Sequence, residues 1–285
     1  MRRTRSKWLW VAAVGIAALA WQTCATCRSS DDLVDATIHV ELASGATLGD
    51  SEPLFARSAE ALAGDQDAAA LASGESMPDL RAWRQVHVHG TRAEVDRALA
   101  DLRARTDVVT VFEAPKVELP FEPSSTTASG SCPIRTPQYD ERQGYIKKAP
   151  GGIDAPYAWK KRGGRGEAVW FADIEGAWNT EHEDVPGDRI KAIGRPMRSR
   201  DWEMHGTAVL GEVVSRENEL GMVGIAPNVK RIVTSSVANA SAADAIDRAQ
   251  AELRAGDVLL IELHAIGPRG RFMPMELWDD VFDVI

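Results

Sequence analysis

Cysteine is scarce, basic charge is in deficit and long apolar runs are missing. Three cysteines in 285 residues are too few for a disulfide framework, and their spacing supplies no zinc quartet. Lys and Arg number 33 against 42 Asp and Glu, a net charge of −9, so the basic face of a nucleic-acid binder is absent and no nucleic-acid partner is expected. The apolar or glycine run from Trp8 to Trp21 falls short of the ~18–20 residues that cross a bilayer as a helix, so no permanent membrane span is expected. What is present is ordinary for a globular chain: 44% hydrophobic and 26% charged residues exclude disordered, collagen-like and fibrous classes. The length suits two modest domains.

Arg2, Arg3, Arg5 and Lys7 precede that apolar run, and Ala18-Leu19-Ala20 offers a small-x-small cleavage site. This is the grammar of a secretory signal peptide over residues 1–21, and it implies export to a periplasm or the outside. A lipid-modified Cys24 or Cys27 is the competing reading, although Trp-Gln-Thr and Cys-Ala-Thr are not the small aliphatic residues that such processing prefers. Export would permit a Cys24–Cys27 disulfide or one with Cys132, against three thiols with no assigned role.

Apolar and polar residues alternate over Asp35–Leu42 and again over Trp83–His89, which predicts half-buried strands. Between Thr91 and Asp107 the period lengthens: Val95, Ala98, Leu99 and Leu102 share a helical face, and Thr91-Arg92-Ala93-Glu94 fits a capping box. With a weak helix at Ser58–Ala63, a loop or marginal helix over Gly64–Gly74 and a strand at Val108–Phe112, residues 31–119 read as a small α+β domain. His87 and His89 lie on one strand face, where metal ligation competes with plain solvation. Residues 120–139 concentrate Pro, Ser, Thr and Gly and read as a linker.

Beyond the linker strands and helices alternate. Strands are expected at Ala168–Ala172, Val229–Thr234 and Asp257–Leu263, and helices at His205–Arg216 and Ala242–Arg254, giving an α/β unit with a parallel sheet and crossover helices over residues 140–285. The apolar run Val258–Leu263 predicts a strand buried on both faces. Two motifs carry chemistry. Val169–Gly176 ends a buried strand in Asp173, where ligands of parallel sheets gather; His205-Gly206-Thr207 opens an apolar helix. A buried carboxylate that accepts the imidazole Nδ1–H leaves Nε2 free to take a hydroxyl proton, which is what acyl transfer needs. A helix cap for the Asp and a core position for the His are the bland readings of the same residues. Gly163-Gly164-Arg165-Gly166 hints at nucleotide binding, but those glycines precede the strand instead of following it.

These blocks resemble the subtilisin-like serine peptidases, the subtilases. Ala168–Asp173 with His182-Glu183-Asp184 is similar to the family's aspartate block. His205-Gly206-Thr207, continuing to Asn218-Glu219-Leu220-Gly221-Met222-Val223-Gly224-Ile225-Ala226-Pro227, is similar to its histidine block, and the two anchors lie 32 residues apart in the family's order. Gly151–Trp159 resembles the opening of a subtilase catalytic domain, so the likeness runs over roughly residues 140–265. The resemblance implies Asp173 and His205 as catalytic residues, a polypeptide substrate and Glu262-Leu263-His264 on the substrate-lining strand, where Ser-Leu-Gly is usual. It implies residues 31–119 as a ferredoxin-like propeptide that chaperones folding and inhibits the enzyme until cleaved. It also implies a structural Ca²⁺ held by Asp184, Asn218 and the carbonyls of Arg216, Leu220 and Met222.

Departures accompany the likeness. The family's Gly-Thr-Ser nucleophile block and its preceding oxyanion Asn do not occur up to Ile285, so the expectation is a catalytic domain truncated before its nucleophile, with no turnover of its own. Ser215, Ser235, Ser236 and Ser241 follow His205 outside any such context. Glu175 stands beside Asp173 where Asp-Ser/Thr-Gly is common, either supporting His205 indirectly or lying at the surface. The alternative to a peptidase is a non-catalytic pseudoprotease or protease- and peptide-binding module.

Overall fold

The computed structural model describes residues 33–119, 136–267 and 269–285. The signal peptide, all three cysteines and residues 120–135 of the linker lie outside them. Among the described residues no helix is long and apolar enough to cross a membrane.

The first unit contains β1 (Leu33–Leu42), β2 (Glu52–Pro53), α1 (Ala59–Ser73), β3 (Trp83–Thr91), α2 (Arg92–Arg103) and β4 (Val108–Glu113). Its antiparallel sheet has the order β2-β3-β1-β4. The short edge strand precedes α1, whereas a ferredoxin-like chain places it after the first helix. Period-two alternation sends Ile38, Val40 and Leu42 to one face, where they bury with Val95, Leu99 and Leu102 of α2. The capping box forms as expected, with Thr91 Oγ1 accepting from Glu94 N–H and Glu94 reaching back to Thr91 N–H. Gly64–Gly74 is no loop: α1 runs unbroken from the Ser58 cap to Gly74, whose φ of 72° closes the helix in the left-handed region. Alanine-rich composition and two good caps offset the weak amphipathic pattern that hid this helix.

The second unit begins with α3 (Ala155–Ala158) and contains β6 (Trp170–Glu175), β7 (Ile190–Ile193), α4 (Arg200–Val214), β8 (Arg231–Ser236), α5 (Ala242–Gln250) and β9 (Val258–Ile261). β5 (Val117–Glu118) ends the first unit in sequence; after β9 come β10 (His264–Ile266), β11 (Phe272–Pro274) and α6 (Asp279–Val284). The four central strands form a parallel sheet of order β7-β8-β6-β9, so the chain is of mixed α/β architecture with one parallel and two antiparallel sheets. β9 is an edge strand, and Val258 is 49% exposed; the apolar run is not covered on both faces, and it breaks at Glu262-Leu263 before β10.

The winding reverses at β6. β8 and β7 lie to one side of it and β9 to the other, which makes the carboxyl end of β6 the topological switch point. Phe171 packs with Leu210 and Val214 of α4 on one face; Ala172 and Ile174 pack with Ala245 and Ile246 of α5 on the other. Leu54, Phe55, Leu62 and Trp83 of the first unit join this second cluster, as do Val281 and Val284 of α6, so both units share one core.

Candidate active site

Asp173 and Glu175 are two apart on β6, on the face of Phe171, which looks toward α4. Both are fully buried, and His205 is 8% exposed. α4 starts at Arg200 behind a Ser199 cap, so His205 sits in its second turn and not at its start. The helix lies close on the turn after β6: a Cβ on Gly206 would stand 2.3 Å from the Ala177 carbonyl oxygen, so only glycine permits the approach. Trp202 stacks with the His205 ring at 6.3 Å between centroids. These contacts set His205 Nε2 3.7 Å from Glu175 Oε1. Asp173 Oδ2 accepts a 2.7 Å hydrogen bond from Trp178 Nε1.

Burial dominates the electrostatics. It pushes the Asp173 carboxyl up to about 7, against the pull of the Trp178 N–H and with a further push from Glu262. Glu175 rises to about 9 through burial and the neighbouring Asp173, partly offset by the Gly176 N–H and reinforced by Glu262. Burial also lowers the His205 imidazole, opposed mainly by Glu262, while His264 adds to the lowering. An imidazole held neutral beside the buried Glu175 carboxyl is equipped to accept a proton.

The expected substrate residues follow β9. Glu262 is exposed, Leu263 is buried and His264 opens β10, its ring edge-on to Phe272 at 4.4 Å. With Ile261, Met273 and Pro274 they line a cavity of about 300 Å³. The other edge of β10 is taken by β5 from the first unit, antiparallel, with Glu118 opposite His264 and Val117 opposite Ala265.

The implied calcium residues also converge. Asp184 Oδ2 accepts from Met222 N–H at 2.7 Å, and Asp184 Oδ1 faces the Asn218 amide nitrogen at 3.3 Å. Asn218 Oδ1 accepts from Leu220 N–H, and Arg216 N–H donates to the Asp184 carbonyl. Gly221, at φ 60°, leaves no room for a Cβ, which would lie 2.1 Å from Asp184 Oδ2. The side-chain oxygens are thus engaged with N–H groups of their own loop, and the set fits a loop clasp better than a calcium cage. Among the described residues no cluster of three His, Cys, Asp or Glu side chains suits a metal. His87 and His89 pair separately, with Thr37 and Asp35.

The serines are engaged elsewhere. Ser235 Oγ donates to the Ala245 carbonyl, Ser236 Oγ to that of Gly176, and Ser241 caps α5. Sequence reasoning missed Trp178 and Trp202, because the turn and helix that bring them to Asp173 and His205 leave no periodic signal.

No family model matches the chain. Over 106 residues it is 28% identical to an intracellular serine protease of Paenibacillus polymyxa, a match that covers 34% of this chain and 32% of that protein. The chain thus spans about a third of that relative's length. The likeness supports a distant relationship to serine proteases.

Proposed function

We propose that the chain carries the acid–base half of a subtilisin-like serine endopeptidase, with Asp173 orienting His205 and His205 taking the proton of an attacking hydroxyl. The observation that carries this reading is the buried carboxyl–imidazole group at the switch point of a parallel sheet. The distant relationship to a serine protease supports it. Substrates are polypeptides, bound as an added strand on β10 beside Glu262, Leu263 and His264. The first unit acts as the chain's own propeptide, its β5 lying where substrate would lie. With the hydroxyls of Ser235, Ser236 and Ser241 turned to backbone, these three residues offer His205 no nucleophile, and no turnover is expected from them.

Two measurements on the full chain test the reading. A dye-labelled hexapeptide with the sequence of residues 114–119 is expected to bind weakly to the native chain and more tightly after Val117→Pro, which takes a ladder donor from β5. Equal binding, or none in either form, would remove the substrate-strand reading. A fluorophosphonate probe is expected to leave the chain unlabelled; labelling that disappears in His205→Ala would reveal a competent serine and replace the half-site by a complete one. The second reading, a peptide-binding module without chemistry, is favoured by those engaged serines, and persistent peptide binding in Asp173→Asn together with His205→Gln would be common to both.

A further inference from the structure

The net charge of −9 is a sum over the whole chain, and one surface runs against it. Of the residues exposed between positions 147 and 163, five are cations, Lys147, Lys148, Lys160, Lys161 and Arg162, and none is Asp or Glu; Asp154, the acid of that stretch, is half-buried. The two basic clusters are laced into one platform. Asp154 N–H donates to the Lys147 carbonyl and Gly152 N–H to that of Lys148, while the Asp154 carbonyl takes the N–H of Tyr157 in α3 and the Tyr157 carbonyl that of Lys160. Ala155 pins the platform from beneath, buried with Ile146 and Val223. Among the described residues none of the five cations is ion-paired, whereas Arg165, just beyond them, is taken by Glu217. Lys147 Nζ donates to the Glu141 carbonyl and Lys161 Nζ stands 4.7 Å over the Tyr157 ring, contacts that leave both charges in place. Apolar side chains stand among these charges, with Ile153 61% and Tyr157 59% exposed. A merely solvated face needs the charges alone, and an aliphatic chain and a ring held in water beside them mark a surface that something covers.

We propose that this face docks on an anionic lipid bilayer, the five cations meeting lipid phosphates while Ile153 and Tyr157 enter the headgroup layer. Clusters of about four to eight Lys or Arg hold a protein to such a surface, and apolar side chains between them add a contact that charge alone lacks. A nucleic acid would meet the same cations and stack on Tyr157, yet its hydrated backbone gives Ile153 no apolar layer to enter. The acids elsewhere on the chain weigh little against docking, because beyond a Debye length of ~8 Å at physiological salt they are screened. Trp159 Nε1 donates to the Ile225 carbonyl and Gly166 packs against Val229, just ahead of β8. The platform therefore lies toward the amino ends of the parallel strands, and the candidate active site lies at their carboxyl ends.

The test is co-sedimentation with vesicles of phosphatidylcholine alone, or of phosphatidylcholine and phosphatidylglycerol in roughly two-to-one proportion. The chain is used without residues 1–21, whose basic and apolar side chains would bind lipid themselves; every described residue is kept. Binding is expected to the mixed vesicles and not to the neutral ones, and it is expected to fall as salt is raised. Lys160→Gln/Lys161→Gln/Arg162→Gln removes three of the five charges and is expected to weaken binding on the order of a hundredfold. Ile153→Ser/Tyr157→Ser is expected to weaken it about tenfold, a loss that salt does not abolish. Arg97→Gln/Arg103→Gln/Arg271→Gln removes as much charge from exposed positions elsewhere and is expected to bind like the native chain. Binding to neither vesicle, equal binding to both, equal losses in the two triple variants or no loss in Ile153→Ser/Tyr157→Ser would overturn the proposal. Capture of a single-stranded oligonucleotide without binding to vesicles would also overturn it, in favour of a nucleic-acid surface. Should the variants fail to fold, the two vesicle compositions and the salt dependence decide on the native residues.

Discussion

Asp173 and Glu175 are carboxyl groups that the fold holds as acids, and this sets how stability varies with pH. Unfolded, both ionise near pH 4; folded, they are held to about 7 and about 9. Below the unfolded values both states are protonated and the stabilisation is complete. As pH rises toward the folded values, only the unfolded chain has shed the proton, so each group removes about 1.4 kcal/mol per pH unit across its window. The urea midpoint is therefore expected to fall between pH 5 and pH 8 more steeply in the native chain than in Asp173→Asn/Glu175→Gln. Parallel slopes would contradict the assignment. At the same scale, Trp178→Phe removes the donor to Asp173 Oδ2 and is expected to raise the Asp173 midpoint, read by ¹³C carboxyl shifts. The placement of Asp173 on a buried strand and of His205 on an apolar helix was legible in the sequence, because each sits in a local motif, a strand leading to Asp and a His-Gly-Thr run. Their aromatic supports were not, since Trp178 and Trp202 reach them only once a turn and a helix have closed.

Helix α4 shows how an element fixes a site. Ser199→Ala removes its cap and is expected to cost about 1 kcal/mol, whereas Gly206→Ala drives a Cβ into the Ala177 carbonyl and is expected to cost several-fold more in chemical denaturation. A smaller loss for Gly206→Ala than for Ser199→Ala would show that the helix is free to slide. The sequence marked the helix by its apolar half from His205 onward; its opening, Arg200–Met204, is largely charged and so silent. The Asp184 loop is a second element-scale case. Asp184→Ala strands the Met222 N–H and is expected to cost about 2 kcal/mol, while the native chain is expected to melt at the same temperature in chelator and in millimolar calcium. A lower melt in chelator would restore the calcium site. The break between β9 and β10 escaped the sequence reading because Leu263 continues the apolar run although the ladder has ended at Ile261.

At the scale of the molecule, acidic positions of α5 and α6 meet the first unit. Asp280 Oδ2 lies 2.8 Å from the buried His39 Nδ1, Asp283 accepts from Trp83 Nε1, Asp244 accepts from Ala56 N–H and Asp247 binds Arg57. His39→Ala leaves Asp280 buried without this partner and is expected to cost about 3 kcal/mol, read by thermal melting. An unchanged melt would show that the units are held by apolar contact alone. The alternation of strands and helices announced the architecture of each unit, but no local pattern announced that Trp83 and Ile246 belong to one core. That information lies in pairs far apart along the chain.

The partners of His39 and Trp83 lie 241 and 200 residues downstream. Closing such loops costs chain entropy before any contact is gained, so these contacts belong to the slow end of folding. During synthesis, at roughly 5–20 residues per second, the face of the first sheet that α6 covers stays bare for on the order of ten seconds or more. Throughout that interval the nascent chain offers a ready surface to chaperones.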